Sequence, residues 1–321
     1  MFVSIIIPTY NRANLIGITL ESLLNQTYPK NLYEILVVDN NSTDNTPEVI
    51  RQWVEKSEGL IQYFIEPRQG SHFARNGIIK KTRGDLLYFT DDDMIADKDM
   101  LRELVSVFEK HPQIGTATGR VLPHWEIEPP AWVKKYCTNG WLSLYDREDE
   151  IYVSEDDFGV FSCHQAVRKE AFILAGGYNP DIVNGEWLGD NETGLNIKIK
   201  KLDYSFAFVK ASVTQHIIPP RRMTQEYLNK RFANQGNCDC YTDYREYLYT
   251  DKQLKELMSK HRRQLYIRSL KFVFTGVTGN DKWHIHRAMV DYFVNRIKYN
   301  KRLLKDKNWR EMVLINDWIN I

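Results

Sequence analysis

Short apolar runs ending in polar or acidic residues recur through the first part of the chain, with helix-spaced segments between them. The runs are Val3-Ser4-Ile5-Ile6-Ile7-Pro8, Tyr33 to Val38, Leu60 to Ile65 and Leu86 to Phe89. Between them, Leu15, Ile16, Thr19, Leu20, Leu23 and Leu24 share one helical face, and Val49, Ile50, Trp53 and Val54 share another. Phe73 to Lys81 is a third helix, and Ser42-Thr43-Asp44 offers caps before Pro47. This βαβαβαβ order predicts an α/β fold with a mostly parallel, Rossmann-like sheet and flanking helices. Such sheets bind ligands outside the carboxyl ends of their strands. Thr9-Tyr10, Asp39-Asn40 and Asp91-Asp92-Asp93 therefore fall on the binding edge. No Gly-x-Gly-x-x-Gly follows a strand and no Walker A pattern occurs, so the two usual phosphate loops are absent.

After Arg120 the pattern turns irregular. Pro123, Pro129 and Pro130 lie in a Trp-rich stretch that reads as a loop over the site. Ile151 to Cys163 is expected to return to the sheet, Arg168 to Ala175 and Glu192 to Lys201 are helical, and Phe206 to Thr214 is strand-like. From Thr224 onward the chain is helical, aromatic and basic. The organisation expected for the 321 residues is a catalytic domain over 1–220 and a helical appendage over 221–321. Within the first, residues 1–120 form a nucleotide half and 121–220 an acceptor half.

The formal net charge of +1 argues against a polyelectrolyte binder, and no nucleic-acid partner is expected. Charge is nevertheless uneven: between His261 and Arg310, 13 Lys or Arg stand against 3 Asp. Two readings fit that segment, 262–310: its apolar residues dock on the catalytic domain while the basic ones are solvated, or it makes peripheral contact with an anionic membrane. Cys137, Cys163, Cys238 and Cys240 lack the paired spacing of a zinc site and read as reduced thiols. Val3 to Pro8 reads as a strand rather than a leader, and no apolar stretch approaches the roughly 18–20 residues that span a bilayer. The expected location is the cytoplasm, with the inner face of the membrane as its peripheral variant.

Three adjacent carboxylates repel one another unless a cation lies among them. Asp91-Asp92-Asp93 leaves a buried run at the binding edge, and its hard oxygens suit Mg²⁺ or Mn²⁺. A divalent ion there would grip a diphosphate and neutralise a leaving group. The competing reading is an acidic turn before the helix near Lys98. Asp39 is placed to accept from a base N–H, or else to close a turn and cap a helix.

Taken in order, these segments resemble a family-2 glycosyltransferase from about Val3 to about Gly236. The carriers are Val3 to Arg12, Val37 to Asp44, Gly70 to Gly77 with its Arg75-Asn76, Gly84-Asp85, and Asp91-Asp92-Asp93 as an Asp-x-Asp metal motif. The resemblance implies a glycosyltransferase-A fold and places Pro8, Thr9, Tyr10, Arg12, Asp39, Arg75, Asp91 and Asp92 around the nucleotide. Asp91 and Asp93 would serve ribose and metal, with Asp92 the alternative metal ligand. His216, before Pro219-Pro220-Arg221-Arg222, resembles a C-terminal His-and-Arg loop near the diphosphate and joins Asp91 and Asp93 as a metal ligand; its other reading is a structural histidine.

Trp187-Leu188-Gly189-Asp190-Asn191-Glu192 resembles the family's Glu-Asp-x-Glu segment, which implies Asp190 as general base and Glu192 as the acid that orients the loop. Asp190 has an N-cap as its alternative role. Gly189 stands where the family often has Glu, and Ser162 and His164 where it has Gly and Asn. Of Trp125, Trp132, Trp141 and Trp187, only Trp187 is assigned to the acceptor, because it lies three residues before the expected base.

The resulting expectation is an inverting, Mn²⁺- or Mg²⁺-dependent transfer of a sugar from a nucleoside diphosphate donor, a UDP-sugar, to a glycan or polyprenyl-linked acceptor. The alternatives are a nucleotidyltransferase, which needs a Gly-rich basic loop where Thr9 to Arg12 stands, and a non-catalytic glycan- or nucleotide-binding protein.

Overall fold

The computed structural model describes residues 1–183 and 185–320. In chain order the elements are β1 (Val3–Thr9), α1 (Ile16–Leu24), β2 (Tyr33–Asp39), α2 (Thr46–Lys56), β3 (Ile61–Ile65), α3 (Ser71–Gly77), β4 (Leu86–Thr90), β5 (Met94–Ala96), α4 (Met100–Lys110) and β6 (Ile114–Trp125). Then follow α5 (Ala131–Tyr136), β7 (Ile151–Ser154), β8 (His164–Arg168), α6 (Lys169–Leu174), β9 (Ile182–Val183), β10 (Glu186–Trp187), α7 (Asn191–Lys200) and β11 (Ser205–Ile218). The chain closes with α8 (Gln225–Tyr247), α9 (Asp251–Val277), α10 (Trp283–Lys305) and α11 (Lys307–Val313).

Among the described residues the main sheet runs β3-β2-β1-β4-β8-β6-β11-β5, with β7 beside β11. The first four strands are parallel, as the early alternation predicts. Beyond them the sheet is mixed: β8 is antiparallel to β4 and β6, β6 and β11 are parallel, and β5 and β7 are antiparallel to β11. Successive side chains of β1 enter opposite faces. Ile5 and Ile7 pack with α1 and α4, whereas Ile6 packs with Ala74 of α3, Phe172 of α6 and Leu195 of α7. All three isoleucines are fully buried, each stabilising the fold by about 1.5–3 kcal/mol relative to exposure.

Two expectations differ from this architecture. The stretch after Arg120 is not irregular, since β6 continues to Trp125. Pro123 is tolerated because β8 pairs with β6 only at Thr116 and Ala117, which leaves the later part of that edge open but for a bridge from Val121 to Tyr145. The return to the sheet expected over Ile151 to Cys163 is split: β7 ends at Ser154, and the next strand, β8, begins only at His164, a short run whose pairing comes from two distant strands.

A register shift between Val209 and Val213 re-aims the second half of β11. Gly119 lies against it, and a Cβ there would sit 1.9 Å from the Ser212 carbonyl oxygen, so only glycine fits. Beyond the shift, His216 pairs with Met94, the residue after Asp93.

The last helices pack together, α10 against both α8 and α9. Trp141 stacks on Phe232 at 3.9 Å and Trp132 on His284 at 4.1 Å, so these tryptophans join α8 and α10 to the acceptor half. Of the segment 262–310, the apolar side chains of α10 are docked: Ala288 and Phe293 are buried, and Met289 and Tyr292 pack on the adjoining core. The second half of α9 meets α10 through Phe272 and Trp283 at 6.3 Å and leaves its other side, Tyr266 to Val277, exposed. No described helix is long and apolar enough to cross a membrane.

Candidate active site

A cleft of about 300 Å³ opens at the carboxyl ends of β1, β2 and β4. Pro8, Thr9, Tyr10 and Arg12 line one wall, and Asn40, Gln69, Gly70, Ser71 and Arg75 another. Asp91, Asp92 and Asp93 form the floor, with Asp181, Ile182 and Arg222 closing the far side. Gly70 has φ +139°, and a Cβ there would meet the Ile182 carbonyl oxygen at 2.8 Å, so glycine keeps the cleft's back wall close.

The three aspartates have three different partners. Asp91 Oδ1 accepts from Arg75 Nη2 at 2.8 Å. Arg75 is buried, donates to Ser71 Oγ at 3.0 Å and lies over the Tyr178 ring, with its Nε unpartnered. Asp92 accepts from Thr9 Oγ1 at 2.7 Å and pairs with Arg12 Nε at 3.3 Å. Burial and the neighbouring Asp93 charge push the Asp92 carboxyl well up. Asp93 Oδ2 accepts from Arg222 Nη2 at 2.8 Å, and its buried Oδ1 has no hydrogen-bond partner and faces His216 Nε2 at 3.6 Å. Burial acts to raise the Asp93 carboxyl, but His216 and the Arg222 and Arg12 charges outweigh it and hold it far down.

His216 is fixed by Nδ1 on the Leu142 carbonyl oxygen at 2.8 Å, which aims Nε2 at Asp93 and at Arg222 Nη1. The arginine head thus sits between a carboxylate and an imidazole. Among the described residues no three His, Cys, Asp or Glu side chains gather as a closed metal site. The orphaned Asp93 oxygen facing an imidazole nonetheless fits a Mg²⁺ or Mn²⁺ that takes its remaining ligands from phosphates and water. Asp91, expected as a further ligand, is instead committed to Arg75, because the buried guanidinium has no other carboxylate bonded to it.

Asp39 does not line the cleft. Its Oδ1 accepts from the Ser42 amide at 2.8 Å and its Oδ2 from the Tyr63 hydroxyl at 2.8 Å, so the turn reading describes its bonds. Asn40 lines the cleft in its place, held by Nδ2 on the Glu66 and Arg68 carbonyls.

Asp190, expected as the general base, borders a different cavity, of about 470 Å³, between α7 and α8. Its carboxyl accepts from Asn179 Nδ2 at 2.9 Å and Thr242 Oγ1 at 2.7 Å, and burial raises its pKa. It makes no side-chain cap of α7 either. Asn191 carries the left-handed φ of 45° that separates the two acids, a conformation asparagine tolerates. Glu192, past that turn, does not line the cleft either, but it feels the charges of Arg75 and Asp91, which do. Burial raises its pKa, the Arg75 and Arg231 charges draw it down, and Asp91 pushes it up. Its one side-chain bond is from Ser162 Oγ at 3.5 Å.

Trp187 donates its indole N–H to the Gly189 carbonyl at 2.9 Å and does not border the cleft, so it braces the loop. His164, where the family has asparagine, is buried between Tyr88 and Ser212, and burial lowers it to about 4. Sequence reasoning gave no role to Ser71, Asp181 and Arg231, while Arg222 falls in the His-and-Arg loop it expected near the diphosphate. Asp181 bonds His72 Nδ1 and Ser71 Oγ, both at 2.9 Å, and those bonds outweigh burial to hold its carboxyl at about 2. Arg231, from α8, makes a 3.4 Å bond to the Gly140 carbonyl and leaves its buried Nε unpartnered.

A mixed, curled sheet with an acidic cleft at its parallel carboxyl ends and a helical C-terminal region is a glycosyltransferase-A-like fold. Residues 4–174 match glycosyl transferase family 2, more than half of the chain, and the chain belongs to that family. Over 176 residues it is 33% identical to the glycosyltransferase AglE of Haloferax volcanii, covering 51% of this chain and 57% of that one. Over 193 residues it is 34% identical to a dolichyl N-acetyl-α-D-glucosaminyl phosphate 3-β-D-2,3-diacetamido-2,3-dideoxy-β-D-glucuronosyltransferase of Methanococcus voltae, covering 58% and 59%. The matched region thus spans less than two thirds of either relative. The mannosyltransferase PcManGT of Pyrobaculum calidifontis, solved with GDP-Man and Mn²⁺, superposes over 95% of this chain and 87% of its own at TM-score 0.63 and 19% identity, a likeness of fold.

Proposed function

We propose that this chain is an inverting glycosyltransferase that moves a sugar from a nucleoside diphosphate donor, a UDP-sugar, to a hydroxyl of a glycan or polyprenyl-linked glycan. The observation that carries the reading is the convergence, on one cleft, of Asp93 facing His216 and the guanidinium groups of Arg12, Arg75 and Arg222, with the Glu192 carboxyl behind them under the influence of the Arg75 charge. The dolichyl-linked acceptor in the name of the Methanococcus voltae relative supports the acceptor class.

Pro8, Thr9, Tyr10 and Asn40 border the end of the cleft suited to base and ribose. Asp93 and His216 would hold Mn²⁺ or Mg²⁺, which when bound neutralises charge on the departing diphosphate. Arg222 is freed from Asp93 in that state and becomes available to phosphate oxygens, and Arg75 adds a fixed cation at the same place. Asp92 keeps Thr9 and Arg12 in position. Glu192 takes the proton from the acceptor hydroxyl, and burial, by raising its pKa, makes it a stronger base than a free glutamate.

A panel of sugar nucleotides, scored for turnover and thermal stabilisation with and without Mn²⁺, tests this. One donor is expected to stabilise the protein and to be consumed when acceptor is present. Stabilisation without turnover on any acceptor would favour a binding protein.

A further inference from the structure

The α9–α10 hairpin exposes an apolar face that no other described residue covers. Tyr266, Leu270, Val273, Phe274 and Val277 share one side of α9 at spacings of four, three, one and three residues, and each is 53–84% exposed. On the same helix Leu254, Met258, His261 and Thr275 are buried and Phe272 meets Trp283 of α10, so one side of α9 is docked while the side carrying Tyr266 to Val277 is bare.

Charge surrounds this apolar end. Arg262, Arg263, Lys271 and Lys282 are exposed and have no ion pair among the described residues. The nearby acids are spent elsewhere: Asp281 meets Lys135 at 3.8 Å and Asp291 pairs with Arg287 at 2.9 Å. Arg268, Lys271 and Lys282 also crowd one point, since after burial it is their charges that depress His286.

We infer that the tip of this hairpin, Tyr266 to Val277 with its collar of Arg262, Arg263, Lys271 and Lys282, is a docking surface for an anionic phospholipid bilayer. An apolar helix face ringed by unpaired cations matches the interfacial layer, where side chains enter the acyl boundary and cations meet headgroups. A second copy of the chain would place the same cations against one another, which disfavours it. The surface stands apart from the transfer site, so its test needs no sugar nucleotide.

The full chain is sedimented with phosphatidylcholine vesicles with and without phosphatidylglycerol, at low and high salt. Binding is expected only with phosphatidylglycerol and should fall with salt. Replacing Arg262, Arg263 and Lys271 together by Gln should lower partitioning roughly 100-fold, at about fivefold per charge. Leu270→Ser with Phe274→Ser should abolish it with Tm unchanged, because both side chains are already exposed in the free protein. Binding indifferent to lipid charge, or none, overturns the inference. A concentration-dependent dimer that the Leu270→Ser, Phe274→Ser variant loses overturns it in favour of a second copy.

Discussion

Asp190 and Glu192 are separated by one residue, yet they have different surroundings. The left-handed Asn191 between them turns the backbone, so Asp190 meets Thr242 of α8 while Glu192 lies by Arg75 and Asp91. Their substitutions should therefore separate cleanly. Glu192→Gln should lower kcat by about two to four orders of magnitude with donor binding little changed. Asp190→Asn puts an amide donor against Asn179 and should cost about 1–3 kcal/mol of stability, read as a lower Tm, with a much smaller effect on kcat. The reverse ranking in kcat would return the base to Asp190.

The pH profile offers an independent check on Glu192. A base acts deprotonated, and burial raises this carboxyl, so the acid limb of kcat/KM should lie above the usual glutamate range. Arg231 pulls that pKa down, so Arg231→Gln should move the acid limb to higher pH. An unmoved limb would separate Arg231 from the base.

Chelation addresses the Asp93–His216 pair. Excess EDTA should abolish turnover and weaken nucleoside diphosphate binding, and Asp93→Asn or His216→Ala should do the same in the presence of Mn²⁺. Full activity in chelator would remove the metal from the site.

The cleft wall has its own pH signature. Asp181, held at about 2 by His72 and Ser71, contributes stability that is complete above its unfolded value near 3.9 and is lost as pH falls through 2. The shift corresponds to about 2 kcal/mol. Asp181→Asn should lower Tm at pH 7 and flatten the acid dependence. An unchanged melting profile between pH 5 and pH 2 would place that stability elsewhere.

The first four strands and their acidic ends were legible because each element carries its own periodicity, and β1 needs nothing but its run of isoleucines to be placed. Asp91, Asp92 and Asp93 were visible as a group, but their division of labour was not, since it depends on Arg75, Thr9 and His216 arriving from other elements. What separates the surroundings of Asp190 from those of Glu192 is a single backbone torsion at Asn191, which residue identity permits but does not dictate. Asp181 and Arg231 left no signal at all: an isolated aspartate and an isolated helical arginine acquire meaning only from what lies opposite. In 262–310 the basic excess was countable, whereas the division between a docked α10 and an α9 bare on one side required packing.

The pairing of β11 with β5 also sets an order of assembly. Asp93 is synthesised long before His216, and the strand that brings the imidazole is the last of the sheet to emerge from the ribosome. A nascent chain exposing only the earlier strands holds the carboxylates without their histidine or Arg222. The grouping of Asp93, His216 and Arg222 is therefore completed only when the sheet is, so a partly synthesised chain carries the acidic run without the cationic partners that fix Asp93 in the finished protein.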